Sequence, residues 1–259
     1  MTESESYMPA LFVGHGSPMN GIEDSEFATN WAKIAAQIPR PRAILCISAH
    51  WTSSNTLVAT TSHPETIYDF YGFPEELYRV VYPAPGAPDI AKRVQEIVKV
   101  KSVYPNDSRG LDHGAWIVLK RMYPTADIPT LQLSLNQKLT PQEHYDLGKE
   151  LLQLRREGVL IIGSGNIVHN LALARMNHTG YPWAYEFDEG VAKKIDEDEH
   201  LSLIHYELIP NSGKAFWTNE HYLPLLYVLA LKQPHERVSH SASKVIYGSI
   251  SMRCVLVHE

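Results

Sequence analysis

Leu11-Phe12-Val13-Gly14-His15-Gly16-Ser17-Pro18 is the stretch that decides the fold. Its apolar start, from about Ala10, predicts a buried strand, and Gly-His-Gly ends that strand abruptly. Glycine permits backbone angles and close approaches that a side chain blocks, so His15 can lie on a tight turn with its imidazole in an open crevice. Ligand sites of open α/β sheets lie in such crevices. Taken alone, the motif favours an ordinary turn with a hydrogen-bonded histidine.

The same pattern, a strand followed by a histidine, returns further along the chain. Residues 43–48 are apolar and predict a second buried strand, which leads into His50. Residues 24–38 between the two strands have apolar side chains at helical spacing. In a right-handed strand-helix-strand unit, the carboxyl ends of both strands fall on one edge of the sheet. We therefore expect His15 and His50 to meet.

The rest of the chain continues this alternation of strands and helices. Further strands are predicted at 57–61, 129–135, 158–162, 244–247 and 249–257, the last two as a hairpin, and further helices at 89–100, 113–122, 141–156, 183–198 and from 218 onward. Asp112 and Asn219 are candidate helix caps. Residues 163–166 predict a tight turn, with a following helix that presents His169. The pattern predicts one α/β domain over residues 1–259, with a central, mostly parallel sheet flanked by helices and a flexible stretch at 1–7.

Composition excludes several classes of function. The chain has 259 residues, 44% of them hydrophobic, which suffices for a substantial core. Its net charge is −6 with scattered basic residues, so no nucleic-acid-binding face is expected. No secretory leader or membrane-spanning apolar run is visible, which favours a soluble, cytoplasmic protein. Cys46 and Cys254 lie in apolar runs, and are expected to be core residues rather than a disulfide or metal ligands.

Histidine is the informative residue type, with thirteen copies. Five of them stand at the ends of predicted elements beside glycine or aromatic residues: His15, His50, His113, His169 and His221. The other eight, His144 among them, are expected at the surface. Imidazole suits zinc and iron(II), although no HExxH or paired CxxC motif is present. The residues alone predict a histidine-rich metal site at the carboxyl-terminal edge of the strands.

An ordered set of motifs resembles one enzyme family over nearly the whole chain. The motifs are Gly14-His15-Gly16-Ser17-Pro18, Ser48-Ala49-His50-Trp51, Asp69-Phe70-Tyr71-Gly72-Phe73-Pro74, Asp112-His113-Gly114-Ala115-Trp116, Gly163-Ser164-Gly165-Asn166 with His169-Asn170, and Glu220-His221-Tyr222-Leu223-Pro224. Together they resemble the 4,5-DOPA extradiol dioxygenase group of the class III, LigB-type ring-cleaving dioxygenases. The resemblance implies a non-haem iron(II) enzyme that opens a catechol ring beside its two hydroxyls and inserts both atoms of O2.

The resemblance also implies residue roles. His15, His50 and His221 would hold the metal. His169 would be the base that takes a proton from the catechol, or a fourth metal contact without substrate, and His113 would be a donor to substrate or oxygen.

The third metal ligand departs from the usual triad of two histidines and one carboxylate. Glu220 adjoins His221, so either side chain could serve, and the resemblance favours His221. Three neutral ligands would leave the metal at +2 and favour binding of a catecholate. Such a site would also take zinc(II) readily, and zinc has no redox chemistry, so zinc-filled protein would be inactive as a dioxygenase.

Several points stay open at the level of sequence. Candidates for packing the ring are the aromatic residues Trp51, Tyr71, Phe73 and Tyr247. DOPA-like, caffeate-like and simple catechols are all compatible with the motifs, with O2 as cosubstrate and no nucleic-acid or membrane partner. The protein is expected to be a monomer or a small homo-oligomer. The alternatives are a zinc-dependent hydrolase that uses the same histidines, with His169 or Glu220 as base, and a metal-binding or interaction protein whose histidines are structural.

Overall fold

The computed structural model describes residues 7–259, and its centre is an eight-stranded sheet. The strands are Ala10–Gly14 (β1), Ala43–Ser53 (β2), Thr56–Ala59 (β3), Val103–Asn106 (β4), Thr130–Asn136 (β5), Val159–Gly165 (β6), Arg237–Ser241 (β7), Val245–Ile246 (β8), Ile250–Ser251 (β9) and Cys254–His258 (β10). The order in the large sheet is β4-β3-β5-β2-β6-β1-β10-β7, and β8 pairs with β9 separately. Strand β6 lies between β1 and β2, parallel to both. Strands β2 and β5 and strands β3 and β4 are also parallel, whereas the other pairings in the sheet are antiparallel.

Helices cover both faces of the sheet. They are Glu26–Gln37 (α1), Glu75–Tyr78 (α2), Pro88–Ile97 (α3), His113–Met122 (α4), Pro141–Glu150 (α5), Leu152–Arg156 (α6), Pro182–Asp196 (α7), His200–Ile204 (α8), Ser212–Ala215 (α9) and Leu223–Ala230 (α10). Alternate strand residues serve opposite cores: Leu11 packs on the side of α1 and α4, and Phe12 on the side of α3, α5, α7 and α10. The predicted single α/β architecture with a mostly parallel sheet is therefore confirmed.

Local chemistry explains where these helices begin. Asp112 caps α4 through a hydrogen bond that its carboxylate accepts from the Ala115 N–H, which confirms the predicted cap and places His113 at the first helical position. Thr140 and Glu143 form a capping box at the start of α5, and Pro141 occupies the first helical position between them.

The structure corrects several predicted elements. The hairpin after residue 244 consists only of β8 and β9, and residues 254–258 join the large sheet next to β1. The predicted helix at 141–156 is divided at Leu151, and the helix from 218 starts as a 3-10 turn over Asn219–His221. Asn219 is not the cap, because its side-chain amide donates to the Tyr206 hydroxyl instead. Strands β4 and β7 at the two sheet edges were not predicted.

The structure also bears on the predictions for the two cysteines, for membrane-spanning segments and for residues 1–7. Cys46 and Cys254 are free and buried, as expected of core residues. No helix within residues 7–259 is long and apolar enough to cross a membrane. Most of the predicted flexible stretch at 1–7 lies outside the described residues, and Tyr7 itself is buried, with its hydroxyl bonded by Arg156.

Candidate metal centre and active site

Strand β6 brings the first and last histidine motifs together through the backbone. Gly14 at the end of β1 pairs with Gly165 at the end of β6, and the His15 N–H donates to the Gly165 carbonyl at 3.1 Å. On the other side, the Asn166 N–H donates to the His221 carbonyl at 2.9 Å. A Cβ at Gly165 would lie 2.0 Å from that carbonyl oxygen, so only glycine fits there. The predicted turn at 163–166 is thus mostly strand, with its glycine used for close packing.

His50 reaches the same place because β2 is irregular there. Between Ile47 and Thr52 the register with β5 shifts, since β2 advances five residues while its partner advances two, from Leu133 to Leu135. Such bulges redirect side chains and are frequent beside active sites. His50 therefore lies within the strand, in the bulge, rather than after its end.

The imidazoles of His15, His50 and His221 converge. His15 Nε2 and His50 Nε2 lie 3.0 Å apart. Together with His221, they form a group whose candidate ligand atoms all lie within 4.8 Å of one another. The ring centroids of His15 and His221 are 5.5 Å apart, and those of His50 and His221 are 5.0 Å apart. The predicted meeting of His15 and His50 is confirmed, and His221 joins them.

The tautomer of His15 follows from its neighbour. Its Nδ1 lies 3.0 Å from Ser164 Oγ, and that hydroxyl donates its own proton to the Gly114 carbonyl at 2.6 Å. The serine can therefore only accept from the ring, so His15 Nδ1 carries the hydrogen and Nε2 carries the lone pair.

Carboxylates favour the same tautomer on the other two rings. His50 Nδ1 lies 3.5 Å from Asp69 Oδ2, and His221 Nδ1 lies 3.2 Å from Glu220 Oε1. A carboxylate at Nδ1 favours the hydrogen there, which leaves the lone pair on Nε2. His221 Nε2 is buried and has no hydrogen-bond partner among residues 7–259.

This donor set fits a metal cation. With these tautomers three lone pairs face one another and repel, and a cation bound by neutral imidazoles removes that repulsion. His15 and His221 are 1% and 4% exposed, and burial, with the neighbouring imidazoles, holds the pKa of both well below the usual range. Burial, followed by His113, lowers the pKa of His50 to about 4 against the opposing effect of nearby carboxylates. The rings are thus neutral, the form that binds a metal.

The other two predicted histidines flank this group. His169 stacks on His221, with ring centroids 3.5 Å apart and planes inclined by 6°. It is not on a helix as predicted, because its N–H donates to the Ala215 carbonyl and bridges join it to Phe216 and Ile250. Burial, followed by His50, lowers the pKa of His169 to about 4.

His113 faces His50 from the start of α4. Their ring centroids are 3.9 Å apart. Asp69 accepts the backbone N–H of His113 at 2.9 Å, and its Oδ1 lies 3.0 Å from His113 Nδ1, although at an angle too poor for a hydrogen bond. Partial burial acts to raise the pKa of Asp69, but His113, followed by His50, brings it down to about 2. Asp69 is thus a carboxylate that contacts both histidines.

A buried polar network fixes the bulge that carries His50. The Ser48 hydroxyl accepts the His50 N–H at 3.2 Å and donates to Asp112 Oδ1 at 2.7 Å. Arg109 pairs with Asp112 at 2.6 Å and donates to the His50 carbonyl at 3.3 Å. Gln132 also donates to Asp112, at 2.8 Å. The backbone of His50 is therefore held from both sides.

A cavity of about 540 Å³ opens beside the histidine group. His50, Glu220 and His221 form the wall nearest the group, and Gln137 and His144 lie elsewhere in its lining. Of these, His144 corrects a prediction: it is not a surface residue but fully buried, 2.9 Å from the Tyr227 hydroxyl.

The predicted ring-packing residues do not gather in one place. Trp51 is buried in the core under the Arg109 guanidinium, whereas Tyr71 is 92% exposed. Phe73 and Tyr247 are half-buried and pack against the core on the α1 and α4 side. Within the aromatic loop it is Phe70 that approaches the histidines, with its ring centroid 5.7 Å from that of His113.

Some residues of the site were not singled out by the sequence pattern. Ser164 and Asp69 set the tautomers, and both stand inside motifs that were recognised for their histidines and glycines. The signal available for them was a polar side chain within each of these motifs.

Comparison with known proteins is consistent with this geometry. The family described as "Catalytic LigB subunit of aromatic ring-opening dioxygenase" matches residues 6–253. The 4,5-DOPA dioxygenase extradiol of Escherichia coli (strain K12) is 40% identical over 260 residues, which cover 98% of this chain and 96% of that protein. The protein of the same name from Beta vulgaris is 40% identical over 235 residues, covering 87% of each. A crystal structure of an uncharacterized Escherichia coli K12 protein superposes with a TM-score of 0.85 at 38% identity, covering 96% of this chain and 99% of that one.

Proposed function

This chain belongs to the LigB family of ring-opening dioxygenases and is an extradiol dioxygenase, and from that premise we propose that it binds one iron(II) and cleaves a DOPA-like catechol with O2. His15, His50 and His221 are the proposed ligands. The observation that carries the proposal is the convergence of three neutral imidazoles whose candidate ligand atoms lie within 4.8 Å of one another, with His15 and His50 Nε2 3.0 Å apart. Bound there, iron(II) would supply Lewis acidity toward the catechol oxygens and redox chemistry toward O2.

The protein's own groups set the orientation of the proposed ligands. Ser164, Asp69 and Glu220 each hold an Nδ1 and so direct the opposite nitrogen of their histidine to a common point. In this proposal Glu220 contributes through His221, and its contact with Nδ1 supports the histidine as the third ligand.

Proton transfers are assigned to the two flanking histidines. His169 lies on the outer face of His221 and is partly accessible, so its neutral imidazole can accept a proton from a catechol hydroxyl. His113, in contact with Asp69 and His50, can donate a hydrogen bond to the substrate or to O2. Phe70 places an apolar ring beside His113, with the two ring centroids 5.7 Å apart.

Anaerobic reconstitution with iron(II) tests the proposal. L-DOPA and then air are added while oxygen uptake and the visible spectrum are recorded. We expect one O2 consumed per catechol and a yellow semialdehyde-type product. The absence of uptake with L-DOPA and a panel of other catechols, in protein shown to contain iron, would contradict the proposal.

A zinc-dependent hydrolase is the second candidate, because neutral imidazoles also suit zinc. In that case metal-bound water would be the nucleophile, and His169 or Glu220 the base. If the protein is the proposed dioxygenase, we expect isolated protein to contain zinc and to consume no O2 until zinc is replaced by iron(II). Hydrolysis of an ester or amide panel by the zinc form, without oxygen uptake by the iron form, would favour the second candidate.

A further inference from the structure

The cavity beside the histidine group, here called the side-chain cavity, has an unusual charge distribution. Among residues 7–259, Glu220 is the only carboxylate or permanently charged side chain in its lining. Arg109 pairs with Asp112 at 2.6 Å, Lys101 pairs with Glu143 at 2.9 Å, and Lys138 lies exposed between the lining residues Gln137 and Leu139. None of these three cations is among the lining residues.

The rest of the lining is neutral and able to form hydrogen bonds. His144 is fully buried, and burial lowers its pKa to about 4, so it is uncharged at neutral pH. Gln137 lies exposed at the rim and donates to the Thr52 hydroxyl at 3.3 Å. Leu135 and Leu223 contribute apolar surface. Among the side chains of this lining, an anionic substituent of a catechol would find neutral donors but no cation.

Glu220 is placed to receive a cation. Its Oε1 faces His221 Nδ1 at 3.2 Å, and no hydrogen bond among residues 7–259 occupies its Oε2. Its side chain is 29% exposed. A carboxylate with one oxygen unengaged at the wall of a cavity is a natural partner for an ammonium group, whereas a second carboxylate there would be repelled.

We propose that the side-chain cavity selects catechols whose ring substituent ends in an ammonium group, with Glu220 as the counter-ion, and disfavours catechols whose substituent ends in a carboxylate. The inference rests on the proposed function, because it assumes that the catechol ring is bound at the histidine group. For a zwitterionic amino-acid substituent, the ammonium binds Glu220 and the carboxylate lies toward the rim near Gln137.

Equilibrium binding to zinc-loaded protein provides the test, since zinc supports binding without oxidation. The probes are three catechols with similar substituents of different charge: dopamine, 4-ethylcatechol and 3,4-dihydroxyphenylacetate. We expect the dissociation constant to rise in that order, by about tenfold or more from the amine to the carboxylate. The same order is expected in kcat/KM for the iron(II) form.

Two variants locate the charge effect. Glu220→Gln should reduce the preference for dopamine over 4-ethylcatechol to within about twofold, and this ratio cancels any general loss that follows from the contact with His221. Gln137→Lys should improve binding of the carboxylate probe several-fold, whereas Gln137→Met, an uncharged change of similar length, should not.

The outcomes separate the two proposals. Equal or tighter binding of the carboxylate probe than of dopamine by the wild-type protein overturns the inference, as does an unchanged preference in Glu220→Gln. If 4-ethylcatechol binds and charge has no effect, only the inference falls. If none of the three catechols binds zinc-loaded protein, the proposed function fails and the inference falls with it.

Discussion

Buried polar groups are paired differently at the amino-terminal and the carboxyl-terminal edge of the central sheet, which are formed by the two ends of its parallel strands. At the amino-terminal edge, Arg155 is fully buried and each nitrogen of its guanidinium has an acceptor. It donates to the Met8 and Leu231 carbonyls at 2.5 and 2.6 Å and pairs with buried Glu236. At the carboxyl-terminal edge, the Nε2 atoms of His15 and His50 face each other at 3.0 Å, and the buried Nε2 of His221 has no hydrogen-bond partner among residues 7–259.

This difference in pairing distinguishes residues that stabilise the fold from residues that bind a ligand. Buried polar groups in folded proteins are nearly always paired, so a paired set such as Arg155 and Glu236 needs no role beyond holding elements together. A converging set of unpaired acceptors costs stability, and its retention indicates a ligand. The predictions below test whether the two edges can be perturbed independently.

Loss of a proposed ligand should have the largest effect. His15→Ala removes one of three converging nitrogens, and we expect turnover of catechol to fall by roughly a thousandfold or more because metal is no longer held. Metal content and oxygen uptake measure this. The free energy of unfolding of the metal-free variant should change less than that of Arg155→Ala. Retention of stoichiometric metal and normal turnover in His15→Ala would contradict the assignment of His15 as a ligand.

Breaking the paired edge should affect stability instead. Arg155→Ala leaves Glu236 buried without its partner, and we expect the free energy of unfolding to fall by about 3–5 kcal/mol. Denaturant titration of the metal-free protein measures this. The control is Arg155→Met combined with Glu236→Leu, which removes both charges and should recover part of the loss. Metal stoichiometry per folded molecule should stay at one, and its loss would show that the edges are coupled.

Acid should destabilise the protein through a histidine that is neither ligand nor base. Burial lowers the pKa of His144 to about 4, whereas an unfolded histidine titrates near 6.5, so the unfolded chain binds more protons between these values. Stability should therefore fall as pH drops from about 6.5 to 4, by up to about 3 kcal/mol from this group. In His144→Leu with Tyr227→Phe, which removes both hydrogen-bond partners, unfolding curves across that window should show a shallower decline, and an unchanged slope would exclude His144 as a source.

A carboxylate behind the ligands should give the smallest effect. Asp69→Asn keeps the shape of the side chain but removes the charge that faces His50 and His113, and we expect turnover to drop about 10- to 100-fold. Steady-state kinetics of the iron(II) form, beside its metal affinity, measure this. An exposed carboxylate change, Glu75→Gln, serves as the matched control and should leave both quantities unaltered.

Much of the architecture could be predicted because its signals are local. Gly14 and Gly16 around His15 mark the end of a buried strand, and apolar periodicity marks α1 and α4. Edge strands were missed because β4 contains Pro105 and β7 is polar, and edges tolerate both since they have only one neighbouring strand.

The site was predictable in its histidines but not in their supports. The bulge at His50 depends on pairing with β5, which no local pattern reports. His144 was taken for a surface residue although Leu147, Leu151 and Leu154 follow it at helical spacing, all buried on the same side. The residues that set tautomers, such as Ser164, act across strands and become visible only once the register is known.

X-ray absorption at the metal edge of zinc-loaded protein tests most directly whether the unpaired nitrogens are the ligands. We predict one zinc per chain, with three imidazole nitrogens at about 2.0–2.1 Å, completed by water or catechol oxygen, and no sulfur. The same measurement on His15→Ala should show loss of the site. A sulfur ligand from Cys46 or Cys254, or an unchanged imidazole shell in His15→Ala, would contradict it.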